Sequence, residues 1–382
     1  MRSFRLGHTL VDDVIIVGAG IIGCACAAAL AKQGLRVKVI ESGIVGGGAT
    51  AAGMGHLVVM DDNPAELALT SYSSDLWRDL VAHSPVTHEY HRCGTLWVAS
   101  DEAEMAAAQA KQQQMHAHGI SCTMLATAAL QKAEPSLRQG LAGGLLVADD
   151  GLVYPPKSAK ILLDQAIQYG AQFLNGEVDM LIPGGARLVD GREILAQEVV
   201  IANGLAGMKL MPELPLRFKK GHVLITDRYP GFAHHHLVEL GYIKSAHSSD
   251  GESVAFNLQP RPTGQIMLGS SRQFDVTDKA VEPAILAKML KKAINFIPAL
   301  ADLKAIRSWT GFRAASPDGL PMIGSHPWRK NVWIASGHEG LGITTSLATA
   351  EILKDQMTKQ ASKIATAPYL PSRFHFDGES ST

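Results

Sequence analysis

The sequence predicts an α/β (α+β) chain: a parallel sheet, discontinuous in sequence, carrying an inserted domain of antiparallel β-sheet plus helix. Two observations predict it. VIIVG (14–18), VVIANG (199–204) and NVWIASG (331–337) are continuous apolar, β-branched runs, as strands buried on both faces should be. Between them LRFKKGHVLITD (216–227), SVAFNLQPRPTGQIMLGSS (253–271) and IRSWTGFRAAS (306–316) read as antiparallel strands, with PAILAKMLKKAINFIP (283–298) as a helix among them. The economical division gives residues 1–85, 143–215 and 313–366 to the first domain and 86–142 and 216–312 to the second. Residues 367–382 are polar and expected to be a loose tail.

The elements follow in order. DDVIIVGAGIIGCACAAALAKQGLRVKVIE (12–41) is a strand–turn–helix–strand unit. Gly18 permits the tight turn, Gly20 lets the backbone approach a pyrophosphate, and Gly23 lets helix and strand pack closely. Ile21 and Ile22 open the helix, Gly34 stops it, and Glu41 ends the second strand, where a carboxylate can accept from an adenosine ribose. The unit is therefore a Rossmann-like dinucleotide site; by itself it does not separate FAD from NAD. SGIVGGGATAAGMGHL (42–57) is a loop suited to wrapping a ligand, with Met54 and His56 among glycines against something flat. NPAELALTSYSSDLWRDLV (63–81) is helical with Leu67, Leu76, Trp77, Leu80 and Val81 on one face, and YHRCGTLWVAS (90–100) is a strand. DEAEMAAAQAKQQQMHAHG (101–119) is a helix with an acidic first turn, YPPKSAKILLDQAIQYG (154–170) another, and AQFLN a further strand.

Composition narrows the function. Lys plus Arg (35) nearly balance Asp plus Glu (36), so no basic stripe points to nucleic acid. Cys24, Cys26, Cys93 and Cys122 lack paired or metal-like spacing, which implies reduced thiols, a cytoplasmic protein and no metal site; HHH at 234–236 reads as a solvated loop. Val14–Ala31 is uncharged over eighteen residues, but Asp12 and Asp13 precede it and three glycines interrupt it, which argues against a transmembrane segment.

These pieces together resemble the FAD-dependent D-amino-acid oxidase and glycine oxidase superfamily, from about Asp12 to Met357. The marks are GAGIIG with Glu41, ATAAGMGHL, VVIANG, GFRAASPDGLPMIG (311–324) and NVWIASGHEGLGITTSLATAEIL. ATAAGMGHLVVMDD, CGTLWVA, ELGYIKSAHSSDGESVAFNLQPRPTGQ and GHEGLGITT are similar to the flavin (beta) subunit of D-hydroxyproline dehydrogenases, with opine oxidase and hydrogen cyanide synthase subunits as relatives. The resemblance implies a D-amino-acid-oxidase/glutathione-reductase-type fold and non-covalent FAD. It also implies partner subunits, carrying a second flavin or an iron–sulfur centre, that remove the electrons and possess any link to the inner membrane. Gly18, Gly20, Gly23, Glu41 and Ser42 would hold the pyrophosphate and ribose. Ala49, Thr50, Ala51, Gly53, Met54, Gly55 and His56 would lie along the flavin, with Val178, Ala202, Asn203 and Gly204 on the adenine side. Arg313, beside Gly311, matches the arginine that binds the substrate carboxylate, here followed by Ala314 and Ala315; Tyr242 and Lys244 sit where a tyrosine assists it.

Hydride loss from Cα requires the substrate carbon to be aimed at the flavin, and arginine's planar fork suits a carboxylate clamp. His56, His222, His247 and His338 are candidate acid–base groups, and Glu339 a candidate tuner of the pocket. The second glycine loop, His338, Glu339, Gly340, Leu341, Gly342, Ile343 and Thr344, leads into a helix whose N-terminus would stabilise negative charge at the N1–C2 edge of a reduced flavin, with Thr344 or Thr345 able to cap or donate. Three other readings stay open: an oxygen-using glycine, sarcosine or opine oxidase, a non-catalytic flavin subunit, and an NAD dehydrogenase.

Overall fold

A computed structural model describes residues 11–241 and 251–376. The first sheet runs in the order Met322–Ser325, Val332–Ser336, Glu193–Ile201, Asp12–Val17, Val37–Glu41, Gln172–Asn175. From Val332–Ser336 onward the neighbours are parallel, and the hairpin Val178–Ile182/Gly185–Leu188 hangs on Glu193–Ile201. The continuous apolar run has its cause in two covered faces. Val14 and Ile16 point into a core shared with the helices Ile21–Lys32, Pro155–Gln168 and Gly342–Met357. Ile15 and Val17 point into another, with Leu188, Met211, Leu214 and Phe376. The chain leaves Asp12–Val17 toward Val37–Glu41 on one side and returns on the other as Glu193–Ile201, so the crevice of the sheet opens beside Gly18.

The second sheet has the order Ala305–Ala315, Arg217–Arg228, Gln265–Phe274, Ser253–Pro260, His236–Glu239, Thr95–Ala99, Gly143–Val147, Thr123–Ala126. One pair, His236–Glu239 with Thr95–Ala99, is parallel. The helix Pro283–Phe296 covers its back, where Phe296 stacks on Phe256 at 4.5 Å. Its other face looks toward the first sheet.

Three expectations are corrected. Gly143–Val147 pairs with Thr95–Ala99, so the second sheet extends past residue 142. Residues 367–376 are docked, not loose: the buried Tyr369 donates to the Ala65 carbonyl at 2.6 Å, and Phe376 fills the second core. HHH is a solvated loop only at its start: His234 is exposed, but His236 opens a buried strand. The four cysteines are free and buried, and among the described residues no helix is long and apolar enough to cross a membrane.

Candidate active site

A cleft of about 1930 Å³ runs from the C-terminal ends of the parallel strands to the inner face of the second sheet. At its nucleotide end two glycines leave no room for a side chain. Gly18 has φ +105°, and a Cβ there would stand 2.7 Å from Asn203 Cα. A Cβ on Gly23 would stand 1.9 Å from the Gly18 carbonyl oxygen, so Gly23 seats the helix against the turn and does not line the cleft. The helix Ile21–Lys32 starts with no side-chain cap, and the Ile21 N–H donates to Thr50 Oγ1 at 3.0 Å. Glu41 accepts from the Ala19 and Gly43 N–H groups, both at 2.8 Å, which fixes its carboxylate at the cleft wall with lone pairs remaining. Ser42, Val178, Ala202 and Gly204 line the same stretch. Asn203 Oδ1 and Ser336 Oγ are buried there without a hydrogen-bond partner among the described residues. Orphaned polar atoms beside a glycine turn and a helix N-terminus whose N-cap residue has no side chain fit an extended, phosphate-bearing nucleotide such as FAD.

In the middle of the cleft lies the short helix Ala49–Ala52. Trp309 Nε1 donates to the Ala52 carbonyl at 3.2 Å, and a Cβ on Gly311 would stand 2.3 Å from Ala52 Cβ. Ala51, Gly53, Met54 and His56 continue this wall. Gly55 does not: at φ +93° it packs against Val153, and its role is the turn. Gly340, Leu341, Gly342 and Ile343 face the cleft at the start of Gly342–Met357, again with no side-chain cap. The hydroxyls assigned to that terminus are spent elsewhere. Thr344 Oγ1 donates to the His56 carbonyl at 3.0 Å and Thr345 Oγ1 to that of Leu341 at 2.9 Å, so only backbone N–H groups are presented. A flat ring thus fits between glycine-lined walls, edge-on to a positive helix terminus.

At the far end Arg313 crosses the floor of the second sheet. Its guanidinium lies over Gly221, where a Cβ would stand 2.7 Å from Nη1, and Nη1 donates to the Ser271 carbonyl at 3.2 Å. Among the described residues it forms no ion pair with an acid at 4 Å or less. Beside it Lys219 Nζ meets Glu339 Oε1 at 2.7 Å. Lys219, Arg313 and Arg272 overcome burial and hold the Glu339 carboxyl down at about 2. Burial in turn lowers Lys219.

The histidines here are neutral. Burial lowers His56 to about 4; its Nδ1 faces Gln259 Nε2 at 3.3 Å and its ring stacks on His236 at 5.8 Å. His236, lowered by burial to about 3, contacts Asn257 Oδ1 at 3.1 Å and Thr95 Oγ1 at 3.3 Å. His338, also near 3 through burial, is tied to Thr349 Oγ1 at 2.9 Å. His222 lies between Ser271 Oγ and the Glu282 N–H. These groups orient by hydrogen bonding; His56 carries no proton to give near neutrality. Tyr242, Lys244 and His247 lie outside the described residues.

Lys219, Arg272, His236 and Asn257 are cleft residues that the sequence reading missed. The signal was the period of two in the strands: Arg217, Lys219, Gly221 and Val223 share the face that Arg313 occupies.

Comparison with known proteins agrees with this geometry. Glycine oxidase of Pseudomonas aeruginosa is 27% identical over 378 residues, covering 94% of this chain and 99% of the relative. A hydrogen cyanide synthase subunit of the same organism is 26% identical, covering 95% and 96%. The crystal structure of glycine oxidase from Geobacillus kaustophilus superposes with a TM-score of 0.84 at 25% identity, covering 95% and 99%. The fold of L-proline dehydrogenase from P. horikoshii matches with a TM-score of 0.85 at 23% identity, covering 95% and 98%. The family model described as FAD dependent oxidoreductase (DAO) matches residues 13–356, nearly the whole described chain, and this protein belongs to that family.

Proposed function

We propose that this chain is a dehydrogenase of amino acids with a secondary amine, of the D-hydroxyproline or D-proline type, yielding the cyclic imine and delivering electrons to a partner subunit. The observation that carries the reading is Arg313: a guanidinium on the cleft floor, free of acidic partners within ion-pair distance among the described residues, next to the glycine-walled slot. A carboxylate on that fork fixes Cα, and the glycine at 221 allows the fork to lie flat. FAD supplies the two-electron acceptor. Neutral His56 and His236 form an uncharged, hydrogen-bonding side wall, and apolar Met54, Val223 and Met267 keep water from the carbon being oxidised.

Similarity to a glycine oxidase and a hydrogen cyanide synthase subunit supports amino-acid oxidation, and the sequence resemblance given above supports the cyclic substrate and the partner. The test is an anaerobic panel of amino acids followed by flavin bleaching, repeated with an artificial electron acceptor. D-Hydroxyproline and D-proline should bleach the flavin. Bleaching by glycine or sarcosine alone, with peroxide formed in air, would replace this reading by the oxidase.

A further inference from the structure

Glu339 is an acid set where the surrounding wall is basic. It occupies φ +48°, a left-handed conformation that costs a residue with a Cβ about 1 kcal/mol or more, beside glycines 337 and 340. It stands against Arg313: the Glu339 N–H donates to the Ala314 carbonyl at 3.0 Å, and Arg313 Nε lies 3.6 Å from where a Cβ on Gly340 would be. Lys219 pairs with the buried Oε1, the Gly340 N–H donates to Oε2 at 2.7 Å, and Oε2 keeps a second lone pair. A positive and a negative group are therefore presented side by side on one wall of the cleft.

We propose that Glu339 reads the substrate nitrogen, so that Arg313 and Glu339 together select a carboxylate and an ammonium carried on one carbon. The inference rests on the amino-acid reading above and adds the residue that sets its selectivity. Lys219 is a positioning residue, fixing the carboxylate that faces the nitrogen. A carboxylic acid lacking the nitrogen covers Glu339 without meeting the lone pair that Lys219 and the Gly340 N–H leave open, and such a site binds it less tightly.

The test uses the holoprotein and two ligands without a Cα hydrogen, which cannot be oxidised: DL-2-methylproline and 1-methylcyclopentanecarboxylate, its nitrogen-free counterpart. Affinities are read from the shift of the flavin spectrum. The unaltered protein should bind the amino acid at least about tenfold more tightly. Glu339→Gln should weaken 2-methylproline by about 10- to 100-fold and leave the carbocycle unchanged or tighter. Arg313→Met should weaken both. Equal weakening of both ligands by Glu339→Gln overturns the inference alone. If that variant does not hold FAD, equal binding of the two ligands by the unaltered protein overturns it. A protein that binds neither ligand, or an Arg313→Met variant that binds both as before, overturns the inference and the reading beneath it.

Discussion

At the residue scale the site is decided by what Arg313 can touch and what makes room for it. The planar fork matters as much as the charge, so Arg313→Lys is expected to lower kcat/KM by roughly 100-fold, most of it in KM, with FAD content unchanged. The space above Gly221 is a separate requirement. A Cβ there overlaps both terminal nitrogens, at 2.7 and 2.8 Å, and must push the guanidinium aside. Gly221→Ala should therefore raise KM about tenfold without touching the nucleotide end, and steady-state kinetics with a flavin absorbance check decide it. Retained kinetics would mean the fork is not the carboxylate clamp. Gly221 was invisible as a functional residue in the sequence, because its partner lies across a strand pairing at Gly311 and Arg313, some ninety positions away.

At the element scale, what was legible is what is local. The strand, glycine turn, helix and acidic strand end of residues 12–41 coincide within one unit, and each reinforces the others. What was illegible depends on docking between distant segments. The Thr344 hydroxyl looked free to serve a ligand until packing placed it on the His56 carbonyl, 288 positions away. His236 looked solvated until pairing beside Thr95 buried it, with a contact across 141 positions. The short helix Ala49–Ala52 is similarly held by a remote strand through Gly311 and Trp309. Gly311→Ala, with its Cβ 2.3 Å from Ala52 Cβ, should displace this helix from the middle of the cleft. The expected result is a folded protein by circular dichroism that releases FAD on gel filtration. Full flavin retention would show that Ala49–Ala52 does not wall the flavin slot.

At the scale of the whole molecule, burial of neutral histidines on one side and protonated carboxyls on the other sets how stability responds to acid. His56 and His326 lie near 4 and His236 and His338 near 3, all lowered chiefly by burial from an ordinary value of 6.5. Unfolding frees these rings to take protons, so their stabilisation is complete above pH 6.5 and is lost as pH falls toward 4. Glu66 and Asp150 oppose them, because burial raises both to about 7. Between about pH 4.5 and 7 these two carboxyls carry protons in the fold that the unfolded chain has shed, and they strengthen the fold as pH falls. His88, His91 and His222 are lowered by burial as well, so the histidines outnumber the two carboxyls and unfolding takes up protons on balance. Below about pH 4.5 the unfolded carboxyls also protonate, the offset ends, and Glu339, held near 2, joins the histidines. The melting temperature of the holoprotein should thus fall from pH 6.5 to 5 and more steeply below 4.5, with flavin fluorescence appearing at each transition. A melting temperature that stays level or rises from pH 6.5 to 5 would mean that the buried histidines are already charged in the fold, and with them the side wall of the cleft.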